Sequence, residues 1–356
     1  MTTAQWPIWP DARSLWSSND RALDMARAVL GSVDAPVGLT PKELVWRKNK
    51  ARLYRYLRSE PATHRTPIFL VLPLINRAYI LDLRPGASFV EFLLSQGFDV
   101  FLIDWGTPGD EDRALDVTTL VTRYLPRAAK AIQRATGTDQ MTVLGYCIGG
   151  ALATCFAALH PEVTRNLVLL TAPIDFSDAG QFGRMTARGI FPVERLTETF
   201  PIVPGQMPDI GSKLLNPLAS YMGTYRALWE KLGDPAFDVQ GWQAMYRWVN
   251  DSVPFAGAAF RQWIVEFYQE NRLARDMLEM DGRPVRMADI RCPVLNIAAT
   301  RDPIAPRPTT SVITNRVGSE DASEILIEGG HVGIVVGRTA SQNLWPRVGA
   351  WLSEHD

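Results

Sequence analysis

The segment Gln140-Met-Thr-Val-Leu-Gly-Tyr-Cys-Ile-Gly-Gly150 constrains the fold more than any other stretch, because an apolar run of strand length ends in a cysteine set between glycines. A strand that turns sharply into a helix lifts the residue at its tip above the sheet, and small residues on either side keep the crossing chains from colliding. Gly145 and Gly149 supply those small residues around Cys147, and the apolar stretch Ala151 to His160 predicts the helix that follows. The first N–H groups of such a helix face whatever Cys147 attacks. The pattern points to acyl transfer through a thioester. A packing cysteine in a tight turn is the plain alternative.

Two later loops weigh against that alternative. Ala299-Thr-Arg-Asp302 follows the strand-like run Cys292 to Ala298, and Glu328-Gly-Gly-His331 follows Glu324 to Ile327. The resulting order of nucleophile, acid and base is that of an α/β-hydrolase triad. Of the four histidines, His64, His160 and His355 fall in a linker, at a helix end and near the C-terminus, which leaves His331 as the base. A thiol with an ordinary pKa of roughly 8.5 needs a nearby imidazole to raise its thiolate fraction. Asp302 would hold that imidazole in the useful tautomer and stabilise the imidazolium. Taken singly, Asp302 could be a loop cap ahead of Pro303 and His331 a turn residue; taken in this order they read as a triad.

A chain of 356 residues with 46% hydrophobic content can bury one large core and carry an inserted subdomain. A net charge of −1 and a pI near 6.5 give no electrostatic reason to expect nucleic acid. No apolar run approaches the roughly 18 residues of a membrane span. The opening Met1-Thr-Thr-Ala-Gln-Trp-Pro lacks the basic and apolar regions of a secretory leader. Cys147, Cys155 and Cys292 make an odd number, and a catalytic thiol suits a reducing compartment, so the expected location is the cytoplasm. No metal-ligand spacing is present, and no metal or cofactor is expected.

Periodicity supplies the architecture. Asn19 to Leu30 has helical spacing, with Asn19 as N-cap and Gly31 as terminator, and reads as a docking helix. Thr40 to Arg58 is basic, with Asn49-Lys50 as a turn between short strands; a solvated hairpin is favoured over a phosphate site. Pro67 to Leu74 reads as a strand buried on both faces, followed by helix Ser88–Gln96 and strand Asp99–Asp104. Helix Asp116–Thr136 with a kink at Pro126, strand Met141–Leu144, helix Ile148–His160 and strand Leu167–Thr171 continue the alternation. The expected fold is an α/β-hydrolase, a mostly parallel, doubly wound sheet. Between residues 174 and 283 the pattern becomes helical and aromatic, with Trp229, Trp242, Trp248 and Trp263, and reads as an inserted cap. The expected division is thus 1–66 as a helix and hairpin packed on the core, 67–173 and 284–356 as the two parts of the hydrolase core, and 174–283 as the cap.

With these residues in view, the chain resembles the polyhydroxyalkanoate synthases over almost its whole length. The resemblance is carried by Gly145-Tyr-Cys147-Ile-Gly149-Gly150, by Asp302 after Cys292-Pro-Val-Leu-Asn-Ile, and by Gly329-Gly-His331-Val-Gly-Ile334. It extends to Asn76-Arg-Ala-Tyr-Ile-Leu-Asp-Leu83, Leu102-Ile-Asp-Trp-Gly106, Trp248-Val-Asn-Asp251 and Phe260 to Asn271. It implies polymerisation of (R)-3-hydroxyacyl-CoA, with 3-hydroxybutyryl-CoA as the expected monomer, and coenzyme A as leaving group instead of cofactor. It implies Cys147 as nucleophile, His331 as base, and Asp302 either orienting His331 or helping to deprotonate the 3-hydroxyl. The oxyanion would rest on the N–H of Ile148 and on a donor at Ile75 to Asn76, with Tyr146 and Trp248 contacting substrate.

The short N-terminal part resembles the catalytic subunit of a two-subunit synthase. Class III with a PhaE-type partner comes first and class IV with a PhaR-type partner second. A homodimer through the cap and a place on the surface of polymer granules are further expectations. Pro303, where many relatives have histidine, and Ile148, where class III members often have glutamine, depart from the pattern. The competing reading is a cysteine hydrolase, such as a thioesterase, lactone hydrolase or intracellular depolymerase, with water as acceptor.

Overall fold

A computed structural model describes residues 12–215 and 223–356; the reading of the first seven residues lies outside them. The central sheet has eight strands: β1 Lys42–Lys48, β2 Ala51–Tyr56, β3 Ile68–Val71, β4 Val100–Asp104, β5 Met141–Tyr146, β6 Thr164–Leu170, β7 Val294–Ala299 and β8 Ala322–Ile327. Their spatial order is β1-β2-β4-β3-β5-β6-β7-β8, antiparallel at β1/β2 and β2/β4 and parallel from β4 to β8. Helices cover both faces, so β3 and β5 are buried along their whole length, which explains their unbroken apolar sequences.

Among the described residues, the α-helices of six residues or more are, in chain order, α1 Ala12–Gly31, α2 Phe89–Ser95, α3 Leu125–Thr136 and α4 Ile148–Leu159. Six more fall between β6 and β7: α5 Gly180–Met185, α6 Val193–Thr199, α7 Gln206–Lys213, α8 Thr224–Lys231, α9 Val239–Asn250 and α10 Gly257–Gln262. The last, α11, is Trp345–Glu354. Helix α10 runs directly into a wide π turn, Trp263–Gln269. A short ribbon, Ile202–Val203 against Phe255–Ala256, ties the inserted helices together.

Local chemistry sets the element boundaries. The Ser88 side chain accepts the Glu91 N–H and starts α2, and Asp116 accepts the Thr119 N–H at 2.7 Å and starts the helical run before α3. Pro126 has no N–H to give to a carbonyl one turn back, and the chain absorbs this with the π turn Leu120–Tyr124 where a kink was expected. Asn49 takes φ 51° at the tip of the β1–β2 hairpin. Its basic side chains are partly neutralised, Lys50 by Glu111 at 2.6 Å and Arg55 by Asp99 at 2.8 Å.

The N-terminal segment divides. Its hairpin joins the sheet, but α1 docks on the inserted helices instead of on the core. Ala28 packs with Leu228 and Leu232 in a small second core, flanked by Met25, Val29, Phe237 and Trp242. Helix α1 also begins at Ala12, well before the expected cap, which places Asn19 inside the helix.

Candidate active site

Four strands deliver the site at their C-terminal ends: β3 runs into Ile75 and Asn76, β5 into Cys147, β7 into Asp302 and β8 into His331. This is the edge at which open parallel sheets hold ligands. Cys147 sits at φ 54° and ψ −129°, a conformation that a non-glycine residue holds only where its surroundings fix it. Its N–H donates to the Leu170 carbonyl at 2.9 Å, and its carbonyl accepts the Gly150 N–H at 2.8 Å. The glycines are required by space: a Cβ on Gly145 would lie 2.4 Å from Gly150 Cα, and one on Gly149 would lie 2.2 Å from the Val71 carbonyl oxygen. Ile148, 6% exposed, opens α4, so the helix N-terminus lies beside the sulfur.

His331 hydrogen-bonds through Nδ1 to Asp302 Oδ2 at 2.7 Å, and it shares the wall of one cavity with Cys147. Burial disfavours the imidazolium. The neighbouring Cys147 and the Asp302 carboxylate outweigh it and raise the His331 pKa to about 10. Asp302 has no exposed side-chain surface. Its Oδ1 accepts the N–H groups of Ile304 at 2.8 Å and Ala305 at 2.9 Å, and Oδ2 takes His331. With both oxygens occupied and no side-chain surface exposed, Asp302 meets the cavity only by way of His331. One oxygen caps the loop and the other holds His331.

Above Cys147 lies a cavity of about 420 Å³ whose wall is mostly apolar. Asn76, Tyr146, Cys147, Ile148, Trp248 and His331 all reach it. Tyr146, expected to contact substrate, lines the cavity while its hydroxyl turns toward the His331 carbonyl at 3.4 Å and its ring sits 5.4 Å from the imidazole. Trp248 donates its indole N–H to the Arg77 carbonyl at 2.9 Å and offers the cavity only ring surface. Among the cap aromatics, Phe260 and Trp263 line the cavity, whereas Trp242 packs the second core.

A latch that the motifs contained but did not explain joins cap and core beside Asn76. Asp251 accepts from Arg77 Nε at 2.9 Å and from the Tyr79 hydroxyl at 3.0 Å; Val253 N–H donates to the Ile75 carbonyl, and Asn76 is bridged to Ser252. Tyr268, also within a quoted motif, lines the cavity and carried no role in the sequence reading. Among the described residues no cluster of His, Cys, Asp or Glu is suited to a metal ion, and no helix is long and apolar enough to cross a membrane.

The three cysteines differ in environment. Burial pushes the Cys155 thiol far up and the Cys292 thiol up to about 11, so both stay protonated near neutrality. His331 stays charged until the pH rises through about 10, so an imidazolium stands beside Cys147 across the neutral range. Iodoacetamide at pH 6.5 should therefore alkylate one thiol per chain, and peptide mapping should find it on Cys147. In His331→Gln the rate should instead climb with pH as an ordinary thiol does. Equal labelling of Cys292 at pH 6.5 would remove the case for a selective pair.

Residues 82–337 match the family described as the alpha/beta hydrolase fold, and residues 17–93 match the N-terminus of poly-beta-hydroxybutyrate polymerase (PhaC). The poly(3-hydroxyalkanoate) polymerase subunit PhaC of Haloferax mediterranei is 35% identical over 347 residues, covering 97% of this chain and 70% of its own. That of Allochromatium vinosum is 34% identical over 319 residues, covering 89% of each. A monoacylglycerol lipase from Paleococcus ferrophilus superposes with a TM-score of 0.54 at 18% identity, over 85% of this chain and 99% of its own, a likeness of fold alone.

Proposed function

The chain belongs to the poly(3-hydroxyalkanoate) polymerase (PhaC) family, and we propose that it works through a thioester on Cys147, with His331 as base and Asp302 orienting His331. It polymerises (R)-3-hydroxyacyl-CoA into polyhydroxyalkanoate and releases CoA. The observation that carries the proposed chemistry is a single imidazole, bonded to a buried carboxylate, that lines the same apolar cavity as Cys147 at its strained turn. The thiolate attacks the substrate carbonyl, the C–S bond to CoA breaks, and His331 gives its proton to the departing sulfur. His331, neutral again, then takes the proton of a 3-hydroxyl, whose oxygen attacks the acyl thioester; the ester link forms, the C–S bond to Cys147 breaks, and the Cys147 thiolate leaves beside the reprotonated His331. The N–H of Ile148 and the loop at Ile75 to Asn76 flank the place where the oxyanion forms. The apolar wall disfavours water, which would otherwise end the chain as free acid.

The PhaC relatives are named as subunits, which supports a second subunit, PhaE-like as in class III before PhaR-like as in class IV. Exposed apolar side chains on the cap, Ile190, Phe200, Ile210 and Leu214, support self-association through the cap to a homodimer, and contact with polymer at the surface of cytoplasmic granules. Purified protein given 3-hydroxybutyryl-CoA should release CoA after a lag and yield high-mass polyester, with a hydroxyl-terminated primer shortening the lag. CoA release with only free 3-hydroxybutyrate as product would instead establish a hydrolase.

A further inference from the structure

The cavity wall has few hydrogen-bonding groups left for a substrate. Thr186 Oγ1 already donates to the Phe182 carbonyl at 2.9 Å, Trp248 Nε1 to Arg77, and the Tyr146 hydroxyl to His331. Asn76 and Ser252, bridged to each other through their backbones, keep their side chains at the loop after β3, where the thioester oxygen is expected. The Tyr268 hydroxyl has no hydrogen-bond partner among the described residues, although its ring lines the cavity that holds Cys147 and His331. Three aromatic rings fix it, with centroids at 4.4 Å for Phe176, 5.2 Å for Phe182 and 6.0 Å for Trp263. It lies on the π turn Trp263–Gln269, a local widening of the kind that recurs at functional sites.

The substrate presents a matching need. A 3-hydroxyacyl group differs from a plain acyl group by one hydroxyl, which loses its water on entering an apolar cavity and requires a partner there. Asp302 cannot serve, because both its oxygens are taken by Ile304, Ala305 and His331. We propose that the Tyr268 hydroxyl donates a hydrogen bond to the 3-hydroxyl oxygen of the acyl group, making Tyr268 the residue that selects 3-hydroxyacyl over unsubstituted acyl thioesters. The donor role suits its surroundings: burial, then the charges of Cys147 and Asp302, hold its phenol pKa far above the ordinary value, so the proton stays on oxygen. A phenol there leaves the oxygen of the 3-hydroxyl accepting and its proton free to pass to His331.

The inference rests on Cys147 as the acylated residue, and the test separates the two. Tyr268→Phe keeps the ring packing and removes only the hydroxyl. Protection of Cys147 from iodoacetamide would be measured with (R)-3-hydroxybutyryl-CoA and with butyryl-CoA, alongside single-turnover CoA release. The variant should lose about tenfold in affinity or acylation for the hydroxylated thioester and change by less than about twofold for butyryl-CoA. Its alkylation rate without thioester should match the parent. Equal losses for both thioesters, or none for the hydroxylated one, would overturn the assignment. Failure of either thioester to protect or acylate Cys147 in the unaltered protein would instead overturn the Cys147 reading, and this inference with it.

Discussion

Cys147→Ser should lower CoA release from (R)-3-hydroxybutyryl-CoA by at least about a thousandfold while leaving the fold intact. The serine side chain fits the same turn, since the strain at φ 54° belongs to the backbone and is held by the Leu170 and Gly150 hydrogen bonds. The lost quantity is charge. Cys147 raises the His331 pKa, and a serine hydroxyl, which does not ionise near neutrality, cannot do so, which removes both the nucleophile and the proton donor for the leaving sulfur. An ester on serine would also discard the activation that a thioester keeps for the next transfer. Brief exposure of the unaltered protein to substrate, followed by peptide mapping, should place the acyl group on Cys147. An acyl group on Cys155, which has no exposed surface, or on Cys292 would sink the assignment.

How much of this was legible in the sequence depends on how local each signal is. The elbow could be read because two glycine positions and an apolar run encode it within eleven residues, and the Cβ contacts at Gly145 and Gly149 show why no other residue fits. The order of the acid and base loops after β7 and β8 followed from strand counting. Long-range choices could not be read that way. The apolar stripe of α1, with Met25, Ala28 and Val29, says which face is buried but not that α8 and α9 bury it. Cap aromatics with similar spacing part company in space, Trp242 into the second core and Trp263 onto the cavity wall. For Asp302 the two readings, loop cap and partner of His331, are compatible in three dimensions, because one carboxylate oxygen makes each contact.

That division of labour on Asp302 leads to the other large effect. His331→Ala should abolish acylation of Cys147, since it removes the acceptor of the thiol proton and the donor to CoA together. Asp302→Asn is the more informative change. The carbonyl oxygen of the new side-chain amide can still accept the Ile304 and Ala305 N–H groups, which turns the amide nitrogen toward His331 Nδ1. Nδ1 must then be an acceptor, so the proton moves to Nε2 and the imidazole presents an N–H where a lone pair is needed. Acylation and elongation both use that nitrogen, so both should fall by the same factor, roughly a hundred- to ten-thousandfold. Rapid-quench measurement of CoA released in the first turnover, set against polymer growth from a preformed primer, reads the two steps separately. If elongation collapsed while acylation stayed near its original rate, Asp302 would have to touch the 3-hydroxyl directly. Its carboxylate, with no surface in the cavity and both oxygens bonded, offers no way to do so without unmaking the loop that holds it.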